Sequence, residues 1–121
     1  MIEIVLNAAL KTYNETIPVY AFKVPSRESG NAICYKRITG KIEQAYFDGD
    51  SKIKASLFHV TIRYMDYNII VNDSGFKHLL NNIVDPVVML SSIEEYTDFW
   101  DEETQWYERT YKLIIKHKEE V

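Results

Sequence analysis

A single cysteine, Cys34, among 121 residues excludes an intramolecular disulfide and any zinc site built on paired cysteines. It lies in the apolar-rich run Ala32-Ile33-Cys34-Tyr35, where a small buried hydrophobe is expected. Only four glycines and three prolines are present, which argues against a low-complexity or disordered chain. No apolar run approaches the ~20 residues of a membrane-spanning helix. GxGxxG, phosphate-loop and HExxH motifs are all missing. The opening run carries Glu3 and no basic leader, so a protein that acts or assembles in a cytoplasm is expected. Cationic charge is also short: 14 Lys and Arg against 18 Asp and Glu leave a net charge of −4. Such a chain has no overall attraction to nucleic acid or anionic lipid. Lys112, Lys116, His117 and Lys118 make one local basic cluster, read as a solvated strand edge.

What is present suits a single domain, residues 1–121. Hydrophobic residues are 46% of the chain, enough for one core at this length. Tyr is abundant, with nine residues; its apolar body and polar tip suit half-buried strands and interfaces.

Residues 2–14 read as an amphipathic helix, with Ile2, Val5, Leu6, Ala9, Leu10 and Tyr13 at helical spacing. Ile17-Pro18 then starts an extended segment, with a short strand over 19–24 and a loop over 25–31. Residues 32–47 are strand-like, and Asp48-Gly49-Asp50-Ser51 is a strong turn signal. Alternation is clearest after it: Phe58, Val60, Ile62 and Tyr64 face one way, and Leu57, His59, Thr61 and Arg63 the other. A helix is expected over 66–83, kinked at Asn72-Asp73-Ser74-Gly75, the alternative being a start near Asp73. Residues 87–98 and 105–116 form a final strand pair, with Tyr107, Tyr111, Leu113 and Ile115 on one face. The fold class is α+β: an antiparallel sheet of long hairpins with two main helices mainly on one face. Strand order is not legible.

No residues converge on a catalytic, cofactor or metal site. Glu94, Glu95, Asp98, Asp101, Glu102 and Glu103 crowd into ten residues, but on a hairpin tip they splay into solvent instead of closing on a metal. Asp48-Gly49-Asp50-Ser51 lacks the remaining ligands of a calcium loop. His59, His78 and His117 have no metal-ligand spacing. Trp100 and Trp106 bracket the acidic turn, and either partner binding or cross-strand packing accounts for them. The candidate interface residues are Asp48, Gly49, Asp50 and Ser51 at one turn and Trp100, Asp101, Glu102 and Glu103 at the other.

This order of elements resembles the tail terminator, or tail completion, proteins of long-tailed bacteriophages, the family of the lambda tail terminator. The resemblance covers nearly the whole chain. It is carried by the opening helix, the Ile17-Pro18-Val19-Tyr20 segment, the hairpin through Asp48-Gly49-Asp50, the strand from Phe58 to Tyr64, the helix through Phe76 and Ile83, and the final Tyr111-Lys112-Leu113-Ile114-Ile115. The chain departs from the family at Asn72 to Gly75. The resemblance implies a non-enzymatic virion protein, without cofactors, that assembles in the host cytoplasm. It implies a homo-oligomeric ring, commonly a hexamer, on the head-proximal end of the tail tube. Such a ring stops tube polymerisation and meets the head connector, while DNA passes through its lumen; no membrane is involved. The alternatives are another neck component, such as a head-closure protein, or a cytoplasmic inhibitor whose acidic hairpin mimics nucleic acid.

Overall fold

The computed structural model describes residues 2–25, 30–47, 51–66, 74–103 and 105–118, with side chains described outside 39–54. The first helix, α1 (Ile2–Lys11), buries Ile2, Leu6 and Leu10, one residue per turn on a single stripe. It is three residues shorter than the periodicity suggests. Thr12 N and Tyr13 N bond back three residues, to Ala9 O and Leu10 O, and tighten the last turn. Asn14 Oδ1 then accepts from Thr16 N at 3.0 Å and Thr16 Oγ1 at 2.7 Å. That side-chain turn competes with helix continuation.

Five strands form one sheet: β1 (Val19–Ala21), β2 (Ala32–Phe47), β3 (Ser51–Tyr64), β4 (Val88–Asp101) and β5 (Trp106–Lys118). Their spatial order is β1-β2-β3-β5-β4. The sheet is antiparallel except that β1 runs parallel to β2, which corrects the wholly antiparallel expectation. β1 stops at Ala21, short of the expected 24, because Phe22 takes φ 76°. Its N–H donates to Tyr35 O at 2.7 Å. Positive φ is uncommon for a bulky residue and turns the chain out of the sheet.

The second helix, α2 (Ser74–Asn81), buries Phe76 and Leu80. It begins near the alternative start at Asp73; Ser74 and Gly75 lie in its first turn. The rest of the expected 66–83 helix falls largely on 67–73, outside the described residues. Both helices pack on one face of the sheet. There Leu6 and Leu10 meet Ile33, Phe58, Val60, Ile62, Tyr111, Leu113 and Ile115. Phe76 joins the layers, with its ring 4.9 Å from Tyr13 edge-on and 5.5 Å from Tyr111.

The alternation expected of β3 holds: Phe58, Val60, Ile62 and Tyr64 are all buried. On β5 the inward phase also carries Arg109 and His117, both buried. Polar residues this deep need partners. Arg109 finds Asp98, and His117 finds Ser56.

Candidate functional site

The turn joining β4 to β5 is built on Asp101. Its carboxylate accepts from Glu103 N at 3.0 Å, and its carbonyl accepts from Gln105 N at 2.7 Å. Gln105 closes the turn at φ 60°. Glu102 and Glu103 are exposed. Trp100 and Trp106 divide the two roles open to them. Trp106 is buried on the sheet face free of the described helices, beneath the Arg63 guanidinium, 4.6 Å from its ring, a cation–π stack. Trp100 is 46% exposed and leans on Tyr107, with ring centroids 6.2 Å apart.

β4 is an edge strand, and its two halves differ. In the first half Asn81 Oδ1 caps the Ile93 amide at 2.8 Å, and the register slips between Val88 and Leu90 and again between Ile93 and Glu95. Caps and bulges of this kind blunt an edge against pairing. The second half, residues 95–100, is exposed at every position. It presents Tyr96, Phe99 and Trp100 among Glu95 and Asp98. Some of that acidity is already matched: Arg109 holds Asp98, and Lys112 Nζ lies 3.3 Å from Glu94. Glu95, Glu102 and Glu103 are exposed carboxylates.

Of the sequence candidates, Trp100, Asp101, Glu102 and Glu103 come together at this end of the sheet. Asp48, Gly49 and Asp50 lie outside the described residues. Ser51 opens β3 opposite Phe47, at the far end from Tyr64 and its neighbour Tyr107. Thirteen residue steps along β3 put Ser51 roughly 40 Å from Tyr64, at about 3.3 Å per step.

The helix-free face holds a hollow of about 350 Å³ lined by Phe22, Lys23, Cys34, Lys36, His59 and Glu108 among others. Phe22 overhangs it and is 73% exposed. Burial pushes the Cys34 thiol up, so little thiolate is available near neutrality. Burial, with Lys36 and Lys112 adding, holds His59 down. Burial raises the Glu108 carboxyl, and the Arg63 charge partly offsets that.

One constellation escaped the sequence reading. Arg37 Nη2 donates to Ser56 Oγ at 2.7 Å, and Ser56 Oγ lies 2.9 Å from His117 Nε2. His117 Nδ1 is 3.1 Å from Lys118 O. The consistent assignment puts the ring proton on Nδ1, donated to that carbonyl, with Nε2 accepting from the serine hydroxyl. The order matches a nucleophile, base and orienter, yet Ser56 is 0% exposed and sealed under the sheet face. The pair satisfies buried polar atoms near the start of α1, where Glu3 pairs with Arg37. Its available signal was phase: Ser56 and His117 share the inward parity of Phe58 and Ile115.

Among the described residues, no three metal-ligating side chains cluster. No helix among them is long and apolar enough to cross a membrane.

No protein-family model matches the chain, and no curated protein matches it. Its fold is similar to a chain of a solved structure described as "Virion of native gene transfer agent (GTA) particle". The TM-score is 0.57 at 10% identity, covering 95% of this chain and 85% of that one. At this identity the likeness shows the fold alone.

Proposed function

We propose that the protein is a structural component of a phage-like virion. Its role is that of a ring-forming tail terminator, commonly hexameric, that caps the head-proximal end of the tail tube and joins the head. The observation that carries this reading is a virion chain with the same fold over 95% of this one. The exposed aromatic and acidic end of the sheet supports it, since a head-to-tail ring needs two unlike patches on each subunit. The roughly 40 Å length of β3 suits a part that meets the tube on one side and a connector on the other. Such a protein carries out no reaction; its work is to bind. The net charge of −4 is compatible with DNA sliding through a lumen, because affinity for phosphate grows with the number of cationic contacts. Assembly takes place in the host cytoplasm, from copies of this chain, the tube protein and the connector.

The test is the mass of the protein in solution, alone and with its tail-tube protein, by light scattering behind size exclusion. A hexamer-sized species in either condition supports the terminator. A protein that ignores the tube but binds the portal side is another neck component. A monomer that instead binds a basic enzyme tightly is a cytoplasmic inhibitor, and the virion reading fails.

A further inference from the structure

The two ends of the sheet are unlike, and they match each other. At one end, residues 95–100 of β4 expose Tyr96, Phe99 and Trp100 beside acidic side chains. At the other, beyond β1, Phe22 and Lys23 are exposed, with Lys36 on β2 close by. These surfaces sit at one height. Ala21, Tyr35, Val60, Tyr111 and Tyr96 are successive ladder partners across the sheet. A second copy at the same height therefore places its Phe22 and Lys23 beside the Tyr96 of the first. Strand directions agree as well. β1 is parallel to β2, and each later step reverses, so β4 runs antiparallel to the β1 of a neighbour in the same orientation. Like ends match less well: two β4 edges would bring together two acid-rich segments, each with Glu94, Glu95 and Asp98, and facing like charges destabilise a strand pair.

We infer that the 95–101 edge of one copy docks on the β1 side of the next copy, around Phe22, Lys23 and Lys36. The contact is heterologous, so repetition closes a ring if the rotation allows. It also accounts for Phe22. Its backbone sits at φ 76° while its ring is 73% exposed, so within one copy the strained position has little burial to show for it. In the assembly the ring lies against the neighbour's β4 edge at Glu95, the position that the shared register sets opposite Phe22. This deepens the ring assembly proposed above and rests on it for its biological setting.

Equal amounts of isotopically labelled and unlabelled full-length protein, joined by a zero-length carboxylate-to-amine cross-linker, test the contact by mass spectrometry. Mixed-isotope links between carboxylates in 95–103 and Lys23 or Lys36 are expected. Phe22→Asn and Glu95→Lys should each weaken self-association by roughly tenfold or more. Adding Lys23→Glu to Glu95→Lys should restore it. Asn accepts positive φ more readily than Phe, so the loss in Phe22→Asn is not a loss of fold. Links only between β4 edges would overturn the inference. So would a monomer at the highest soluble concentration with tube protein present, or unchanged association in both variants. Self-association through these edges by a protein that never enters a virion would reject the proposed function and keep the interface. Normal tails from both variants would do the reverse.

Discussion

Arg109 and Asp98 are joined by two parallel hydrogen bonds across β5 and β4, Nε to Oδ1 at 2.6 Å and Nη2 to Oδ2 at 3.0 Å. The same guanidinium stacks 4.3 Å from the Tyr96 ring, which carries Lys77 Nζ from α2 at 4.7 Å. The bonds to Asp98 raise the Arg109 pKa, so its charge persists at every working pH. The pair locks the register of the exposed half of β4 to a core strand.

Asp98→Asn leaves a nearly fully buried cation without its counter-charge. A loss of about 1.5–3 kcal/mol is expected, the range for hydrogen bonds to charged groups. Arg109→Met should cost less, because Asp98, 32% exposed in the side chain, regains water. Urea denaturation of both variants checks the order.

Phe76→Ala removes the ring that links Tyr13 to Tyr111 and opens a cavity between helix and sheet. A loss of about 3–5 kcal/mol is expected, as for other buried Phe→Ala changes. Phe22→Asn in the isolated monomer should cost little or nothing. Thermal melts of the two variants compare a core aromatic with an exposed one.

His59 and Glu108 give opposite pH effects. The folded His59 takes up its proton below the ordinary value of 6.5. As pH falls through 6.5 the unfolded chain binds that proton first, so this contribution is full above 6.5 and declines below it. Glu108 is raised above its ordinary 4.5, so the folded chain keeps a proton that the unfolded chain has released. Its contribution is full below 4.5 and is lost as pH rises through the folded value. His59→Gln should therefore reduce the fall in melting temperature on acidification from pH 7, and Glu108→Gln should steepen it. Melts at half-unit pH steps decide both signs.

Trp100 and Trp106 should differ in solution. Acrylamide should quench the fluorescence of Trp106→Phe, which retains Trp100, more than that of Trp100→Phe, which retains the ring under Arg63. If residues 95–101 form a contact between copies, the Trp106→Phe emission shifts to shorter wavelength on assembly.

Much of the fold was legible where one physical signal dominated. Alternation over 57–64 fixed the inward face of β3, and β2 ends at Phe47 and β3 opens at Ser51, on either side of the expected turn. β2 has the bounds that composition suggested. What escaped depended on partners distant in sequence. A three-residue β1 has too few side chains to show a period, and its parallel pairing is with Ile33, Cys34 and Tyr35, more than ten residues on. His117 was read as part of a solvated edge because residue type outweighed phase, and Arg109 was given no place; their burial requires Ser56 and Asp98, which periodicity alone does not pair with them. At the site, the acidity and the exposed Trp100 were readable. The burial of Trp106 was not, because it depends on Arg63 from β3. The capped half of β4 was also hidden, since its cap comes from Asn81 on a helix.

The sheet order sets a timetable for the chain. β5 is made last of the five strands yet lies inside the sheet, between β3 and β4, and brings Tyr111, Leu113 and Ile115 to the core. A ribosome adding about 5–20 residues per second leaves the β3 edge open for seconds after Tyr64 is made. During that interval the β2–β3 hairpin has neither its central partner nor a full core, and β4 has no strand to lean on. The acidic edge takes shape only once β5 has joined the sheet, so nascent chains that have not yet delivered β5 cannot be recruited through it.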